Sequence, residues 1–428
     1  MHSLISGDGR IEKGQVVALV GWRNFRRSLV AALVLVALSQ MAAGPVFAAR
    51  THHFHHRIRH HFVVHHTGPL YHAVLLEDAD SGRILYQENA DLQWPPASMA
   101  KMMLLLVATD QIKAGRFRYS DPVVISARSA HTGGSRLGLR QGQVYPLGEL
   151  MKAALIRSAN DAAVAVAEKI GGSVPGAVEL MNARARSLGM TGTHYQTVEG
   201  LPPTPGHDVD FTTARDLATL GRVLIYRTDL LSWSRLQMAS FDYGAAMLHN
   251  TNHLIGHFDG CDGLKTGFTF KAGFNLTATA RRGDMRLIAV VLGAPSNAQR
   301  FAQAARFLQW GFDNFVRIAI LKGGQPLPLQ VRTASGATVQ PVTARPVSVV
   351  VRKDSIRDIH LHYDVPQVLA TQIEAGMPIG QVEIMDGADV LDDVSAIYPL
   401  SNIGKPGIST GVAISESDRN NPQAIPRQ

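Results

Sequence analysis

The chain has 428 residues, of which 46% are hydrophobic and 18% charged, as in an ordinary globular protein. Its length is enough for two or three domains. The single cysteine, Cys261, excludes an internal disulfide. The formal net charge of +8 suits an anionic envelope surface and does not single out a nucleic-acid partner, so we expect none.

A basic stretch and a short apolar run lie near the N-terminus. Arg23, Arg26 and Arg27 precede the run Leu29–Leu38, and Val46-Phe47-Ala48 is typical of a cleavage site. A membrane span needs about twenty apolar residues, so the shorter run favours a cleaved signal peptide over an anchor. We therefore predict a signal peptide over residues 1–48 and an exported, periplasmic protein, and we leave open an association with the inner membrane through an uncleaved leader.

Residues 49–69 form a histidine-rich leader that contains eight of the eighteen histidines. Paired histidines can capture a metal ion. Without carboxylates or a folded frame nearby, we favour a solvated leader that gains charge as the pH falls, and we predict no metal site.

Hydrophobic patterns and turn residues predict the elements that follow. A β-hairpin is predicted between His72 and Tyr86, and then a helix over about residues 97–114. A helical block follows. The later elements are strands at about 263–269, 273–281 and 285–293, and an amphipathic helix at about 298–315.

Gly323-Gly324 marks a linker, beyond which short alternating strands predict an all-β module. We therefore expect a first domain at 70–320, a β-rich domain at 321–403 and a disordered tail at 404–428. The fold class is α+β. The first and last parts of domain one would form one antiparallel sheet with helices packed on it.

Ser98 and Lys101 stand three residues apart at the start of the predicted helix, on the same face and one turn apart. A serine hydroxyl needs a base beside it, and a lysine amine is a base only when its pKa falls. Burial and the positive end of a helix both disfavour the ammonium form. This pair therefore predicts an activated nucleophile, with Ser98 forming an acyl-enzyme and Lys101 accepting its proton.

Two further motifs follow in order, Ser158-Ala159-Asn160 and Lys265-Thr266-Gly267. Together with Ser98 and Lys101, they form the trio found in β-lactamases and penicillin-binding proteins. Ser158 could pass a proton to the leaving amine. Asn160 could bind the substrate amide and help to hold Lys101.

The third motif would contact the substrate. Lys265 adds positive charge, which would lower the pKa of Lys101 and attract an anionic substrate. Thr266 offers a hydroxyl to a carboxylate, and Gly267 would let substrate lie against the strand. The backbone N–H groups of Ser98 and Phe268 are the candidates for an oxyanion hole.

Each motif also has a purely structural interpretation. Ser158 and Asn160 are residue types that cap helices, and Lys265 could be a solvated lysine on an edge strand. We favour the catalytic interpretation because all three motifs occur in order behind a predicted export signal.

The chain resembles the low-molecular-mass penicillin-binding proteins, which are serine-type D-alanyl-D-alanine carboxypeptidases. Beyond the trio, the resemblance includes Met181-Asn182-Ala183, Leu188-Gly189-Met190, Thr213-Ala214-Arg215-Asp216, Asp262-Gly263-Leu264 and Lys271-Ala272-Gly273-Phe274-Asn275-Leu276. It covers about residues 70–400. It implies a catalytic domain of the penicillin-binding-protein and β-lactamase type, with helices on both sheet faces and a helical subdomain, followed by a small all-β domain.

The resemblance also implies a function. The protein would remove the terminal D-alanine from peptidoglycan stem pentapeptides without a cofactor, and β-lactam antibiotics would acylate Ser98. Arg300 matches the arginine that binds the terminal carboxylate in this family, a role that suits a bidentate clamp.

Three departures from the family pattern stand out. Glu199 replaces a common histidine, and the segment Leu201-Pro202-Pro203-Thr204-Pro205 is richer in proline than is usual in the family. Residues 404–428 lack the apolar face and basic cluster of a membrane-lying helix. We therefore expect a soluble periplasmic enzyme or one held to membrane or wall by other means. The alternatives are a β-lactamase, a peptidoglycan endopeptidase, a metal-dependent hydrolase and an inactive peptidoglycan-binding protein.

Overall fold

The computed structural model describes residues 69–202, 209–370 and 373–399. The predicted signal peptide, almost all of the histidine-rich leader and the predicted tail lie outside these residues. No helix in the described ranges is both long and apolar enough to cross a membrane.

The elements of the first part of the chain alternate between strands and helices. Its strands are β1 (Ala73–Asp78), β2 (Ile84–Glu88), β3 (Pro122–Val124), β4 (Val144–Pro146), β5 (Met238–Phe241), β6 (Ala246–His249), β7 (Cys261–Thr269), β8 (Gly273–Arg282) and β9 (Met285–Ala294). Its α-helices are α1 (Ala100–Lys113), α2 (Ala127–His131), α3 (Leu147–Ile156), α4 (Asn160–Gly171), α5 (Val174–Ser187), α6 (Ala214–Arg227), α7 (Leu230–Ser234) and α8 (Asn297–Asn314). Short 3₁₀ turns occupy Ala97–Met99 and Asp242–Gly244.

The main sheet of the described residues has five strands in the order β2-β1-β9-β8-β7, and every pairing is antiparallel. The predicted hairpin and the three predicted later strands coincide with β1, β2 and β7–β9. All ten residues of β9 are buried, because this strand lies at the centre of the sheet and helices cover both faces. Strand β7 is an edge strand, so one of its sides faces away from the sheet.

Alternating side chains of the sheet enter two separate cores, as the two-residue period of a strand requires. From β1, Leu75 packs with the helical block, whereas Val74 and Leu76 pack with α8. Helix α1 is buried from Ala100 to Thr109, in the centre of the helical block. Its methionine- and leucine-rich sequence has high helix propensity and is apolar all round, which is typical of a central helix. The predicted α+β fold class is confirmed.

The C-terminal module contains the remaining strands, β10 (Phe315–Leu321), β11 (Val331–Arg332), β12 (Thr338–Val339), β13 (Val342–Thr343), β14 (Val347–Arg352), β15 (Ile359–Asp364), β16 (Pro378–Asp386) and β17 (Asp389–Ile397). A 3₁₀ turn spans Ile356–Asp358, and β13-β17-β16-β15 form one sheet around a core of its own. Strand β10 pairs with β14, although residues 315–320 were expected in the first domain. We therefore propose that the domain boundary follows Asn314.

An ionic contact joins β10 to the main sheet. Arg317 donates to both carboxylate oxygens of Asp78, at 2.9 and 2.8 Å, and lies 2.7 Å from a carboxylate oxygen of Asp80. Asp78 is fully buried, so its charge depends on this arginine for compensation.

Candidate active site

Ser98 lies on the 3₁₀ turn Ala97–Met99 that leads into α1. Ala97 has φ +51°, a left-handed conformation that is uncommon outside glycine and clusters at functional sites. The turn is fastened from below by Asn275 on β8, whose Nδ2 donates to Pro95 O at 2.8 Å. The sheet therefore fixes the backbone from which the serine projects.

Lys101 occupies the first turn of α1 and is fully buried. Its Nζ lies 2.9 Å from Ser98 Oγ and 2.8 Å from the backbone oxygen of Glu199. Burial lowers the pKa of Lys101 to about 7, while nearby negative charges, chiefly that of Glu199, pull it upward. A substantial fraction of this amine is therefore neutral near pH 7, as a general base requires.

The second motif precedes α4. Ser158 has φ +63° and is 5% exposed, and the Asn160 amide donates to Gly133 O at 2.7 Å. The helix cap is Ala159, which contributes no side-chain hydrogen bond, so the capping interpretation of Ser158 and Asn160 is wrong. The expectation that Asn160 helps to hold Lys101 is also wrong, because the backbone oxygen of Glu199 holds the amine. The buried Oδ1 of Asn160 has no hydrogen-bond partner among the described residues and can accept one from a ligand.

The third motif lies on edge strand β7. Lys265 is 1% exposed and donates to Thr266 O at 2.9 Å, so the solvated-lysine interpretation is wrong. Burial lowers its pKa well below the usual range, and the positive charges of Lys101 and Arg300 lower it further. Burial is therefore the largest cause of the lowered pKa of both lysines, and their proximity disfavours a positive charge on both at once.

Gly267 has a different role from the expected one. A Cβ at this position would lie 2.5 Å from Pro96 O, so the absent side chain lets β7 approach the turn that carries Ser98. The interpretation that this glycine makes room for substrate is wrong in one respect. The space that a side chain of residue 267 would enter is occupied by the protein itself. Phe268 is 43% exposed at the rim and packs on Phe274, with the ring centroids 4.2 Å apart.

Arg300, on α8, reaches the end of β7 and is 7% exposed. Its Nη1 donates to Gly267 O at 3.0 Å and to Asn275 O at 3.3 Å, and burial lowers its pKa to about 10. Its Nε has no partner among the described residues. The edge formed by Nε and Nη2 therefore retains the capacity to bind a carboxylate, whereas Nη1 is anchored to the backbone.

Sequence analysis missed Thr251, which connects two of the motifs. Its N–H donates to Ile156 O at 3.2 Å, just before Ser158, and its hydroxyl lies 2.8 Å from that of Thr266. No local pattern indicates this role, because the three segments are distant in the sequence. Asn275 carried a detectable signal, since its amide stands between the apolar residues Phe274 and Leu276 of a strand.

No group of three or more histidine, cysteine, aspartate or glutamate residues within the described ranges is placed to hold a metal ion. The described part of the site assembles the Ser98 hydroxyl, two buried lysines, an arginine and an unpaired amide oxygen. Such a set is suited to acyl transfer through an activated serine.

Comparisons with known proteins agree with this chemistry. A family model described as D-alanyl-D-alanine carboxypeptidase matches residues 70–296, and one described as penicillin-binding protein 5, C-terminal domain, matches residues 315–405. The D-alanyl-D-alanine carboxypeptidase DacF of Bacillus subtilis is 31% identical over 79% of this chain and 87% of its own.

Solved structures agree as well. Penicillin-binding protein 5 of Haemophilus influenzae is 27% identical, with a TM-score of 0.69 over 78% of this chain and 98% of its own. Penicillin-binding protein D2 of Listeria monocytogenes, solved in an ampicillin-bound form, is 29% identical, with a TM-score of 0.53 over 57% of this chain and 98% of its own. The predicted family and enzyme class are confirmed: the chain belongs to the D-alanyl-D-alanine carboxypeptidase family.

Proposed function

We propose that this protein removes the terminal D-alanine from peptidoglycan stem pentapeptides through an acyl-enzyme on Ser98. The observation that carries the proposal is the 2.9 Å contact between Lys101 Nζ and Ser98 Oγ, made by an amine whose pKa burial lowers to about 7. A neutral amine at this distance can accept the serine proton as the hydroxyl attacks.

The reaction proceeds in two halves. Ser98 Oγ attacks the carbonyl carbon of the penultimate D-alanine while its proton moves to Lys101 Nζ. The C–N bond then breaks, and the departing D-alanine amine takes a proton from Lys101 or through Ser158. In the second half, water attacks the ester carbonyl carbon while Lys101 accepts its proton. The bond between the acyl carbon and Ser98 Oγ then breaks, the proton passes from Lys101 to Ser98 Oγ, and the shortened peptide leaves with a free carboxyl group.

Recognition would come from the strand side of the cleft. Lys265, Thr266 and Arg300 would offer a substrate carboxylate two basic side chains and a hydroxyl, and the Nε–Nη2 edge of Arg300 suits that group. The N–H groups of Ser98 and Phe268 would stabilise the oxyanion, and the Asn160 amide oxygen would accept from the substrate amide. β-Lactam antibiotics present the same groups and would acylate Ser98 covalently.

Location and anchoring are part of the proposal. The family membership supports an extracellular or periplasmic enzyme, and the basic and apolar stretch within residues 1–48 supports export through a cleaved signal peptide. Fractionation of the host cell with an antibody to the protein tests this. Recovery in the membrane pellet after a salt wash would contradict a freely soluble periplasmic enzyme, whereas release from the pellet by salt would indicate peripheral association with membrane or wall.

The decisive experiment measures D-alanine release from a pentapeptide, with and without penicillin, and maps the penicilloyl adduct by mass spectrometry. We expect release by the wild type, inhibition by penicillin and an adduct on Ser98. Ser98→Ala should lose both activities, whereas Ser187→Ala, which changes an exposed serine on α5, should retain them.

Other outcomes identify the alternatives. Rapid breakdown of the adduct would indicate a β-lactamase, and cleavage of cross-linked peptides would indicate an endopeptidase. Wall binding without an adduct would indicate an inactive binding protein, and loss of activity with a chelator would indicate a metal-dependent hydrolase.

A further inference from the structure

A buried carboxylate organises the turn that touches Lys101. Asp210, 5% exposed, accepts hydrogen bonds from Gln196 N at 2.6 Å, Thr197 N at 2.9 Å and Thr197 Oγ1 at 2.7 Å. Three donors on one carboxylate fix both the backbone and the side chain of Thr197.

The Thr197 hydroxyl in turn holds the backbone of Gly200, three residues further along the chain. While its proton goes to Asp210, its oxygen accepts from Gly200 N at 2.9 Å and so closes the turn around Glu199. Gly200 has φ +79°, and a Cβ there would lie 1.9 Å from Ala97 O. The closed turn therefore lies directly against the backbone that carries Ser98.

This turn fixes the position of one carbonyl group, that of Glu199. Glu199 O lies 2.8 Å from Lys101 Nζ, on the same amine that contacts Ser98 Oγ. A neutral amine has two N–H donors and one lone pair. When the Glu199 carbonyl takes one donor, it sets the rotation of the amine and hence the direction of its lone pair. General-base catalysis depends on that direction, because the lone pair must face the serine proton.

We propose that Asp210 and Thr197 are positioning residues for acylation, which act through the Glu199 carbonyl to aim the Lys101 lone pair at Ser98. This inference rests on the proposed function and deepens it. It assigns a catalytic purpose to a carboxylate that does not touch the reacting atoms.

Charge acts on Lys101 alongside geometry. The titratable groups that face the amine are Glu199, Asp210, Asp161 and Lys265. The negative charge of Asp210 favours the ammonium form, so removal of that charge should lower the pKa of Lys101. Thr197 carries no charge, and its substitution therefore separates the geometric effect from the electrostatic one.

The test uses the purified full-length chain and measures the second-order rate of acylation by a fluorescent penicillin from pH 5 to 9. Thr197→Val removes both hydroxyl hydrogen bonds at nearly constant volume. We expect it to lower the plateau rate at high pH by about tenfold or more, since small misplacements of catalytic groups cost up to about a hundredfold. Thr197→Ser keeps the hydroxyl and should restore the rate to within about threefold of the wild type.

Asp210→Asn keeps one acceptor oxygen but removes the charge and the second acceptor. It should lower the plateau rate and also move the acid limb of the profile to lower pH, because the ammonium form loses a stabilising charge. If Asp210→Asn does not fold, the Thr197 pair still decides the inference.

A matched control separates positioning from general loosening of the segment. The Asn182 side chain bonds to both the N–H and the oxygen of Tyr195, two residues before Thr197, at 2.8 Å each. Asn182→Ala should lower the melting temperature yet leave the acylation profile within about twofold of the wild type.

Three outcomes would overturn the inference: a wild-type plateau in Thr197→Val, a rate in Thr197→Ser as low as in Thr197→Val, or an equal loss in Asn182→Ala. Failure of the proposed function is distinguishable, because the wild-type chain itself would then release no D-alanine from the pentapeptide, whatever the acylation rates of the variants.

Discussion

Helix α1 and strand β7 each carry a buried lysine beside the active site, and the two lysines have neighbouring charges of opposite sign. Lys101 on α1 is fully buried beside three carboxylates, those of Glu199, Asp210 and Asp161. Lys265 on β7 is 1% exposed, and the charges that act on it are cationic. Burial favours the neutral amine in both, but only Lys101 has acidic neighbours that return its pKa to about 7.

This difference suits the two lysines to different chemical roles. A general base is most effective when its pKa lies near the working pH, and the pKa of Lys101 meets that condition. Lys265 has a strongly lowered pKa and cationic neighbours, so it is a poor base. A bound anion would raise its pKa and so favour its protonation. The predictions that follow test this division.

The largest effect is expected from Lys101→Met. Methionine occupies the space of the buried aliphatic part of the lysine but has no amine, so the protein should still fold. The acylation rate should fall by about a hundred- to ten-thousandfold, the usual contribution of a general base. Stopped-flow acylation by penicillin, with near-ultraviolet circular dichroism as the control for folding, measures this. A loss of less than about tenfold would place the base elsewhere.

Lys265→Met should reduce acylation by roughly ten- to a hundredfold, because an anionic ligand loses a buried cationic partner. The midpoint of the acid limb should stay near that of the wild type, which we expect at about pH 7 since the rate rises as Lys101 loses its proton. A clear upward shift of the midpoint would show that Lys265 is charged while Lys101 titrates, and would contradict the division described above.

Arg300→Ala should lower pentapeptide turnover by about tenfold and penicillin acylation by less, since the peptide relies more on a carboxylate clamp. Arg306→Ala is the matched control, as Arg306 is an exposed arginine on the same helix that lies over the Phe307 ring. Equal losses for peptide and penicillin would reject carboxylate recognition and leave Arg300 the structural role of holding Gly267 O.

The smallest effect is expected from Glu199→Gln, which keeps the backbone carbonyl and removes only the side-chain charge. Glu199 favours the ammonium form of Lys101, so the acid limb should move to lower pH with little change in the plateau. The acylation profile from pH 5 to 9 measures this. An unchanged midpoint would show that the side-chain charge of Glu199 does not act on the pKa of Lys101.

Local patterns predicted the elements and motifs well because their causes are local. The hairpin, the apolar helix behind Ser98 and the later strands follow from residue periodicity and turn residues, and the structure places all of them close to the expected bounds. The boundary of the first domain, expected at residue 320, is one that we propose to place after Asn314. Residues 315–320 belong to a strand whose partner, β14, lies some distance further along the chain, and pairing of this kind leaves no local trace.

The contacts around the site were harder to predict. Sequence spacing placed Ser98 and Lys101 on one helical face, but the second partner of the Lys101 amine is a backbone oxygen, and a backbone oxygen has no sequence signature. Likewise, Thr251 acquires its role only because the chain brings Ile156 and Thr266 to either side of it.

By itself, the sequence determined the chemical groups, their order along the chain and the helical spacing of the nucleophile and its base. The tertiary structure alone decided how far the pKa of each lysine is lowered, because a pKa depends on burial and on charges drawn from distant segments. It also decided that Gly267 serves the packing of β7 against the Ser98 turn, and that Asp210 and Thr197 support the carbonyl that aims the amine. These assignments depend on distances between residues far apart in the chain, which only the folded protein fixes.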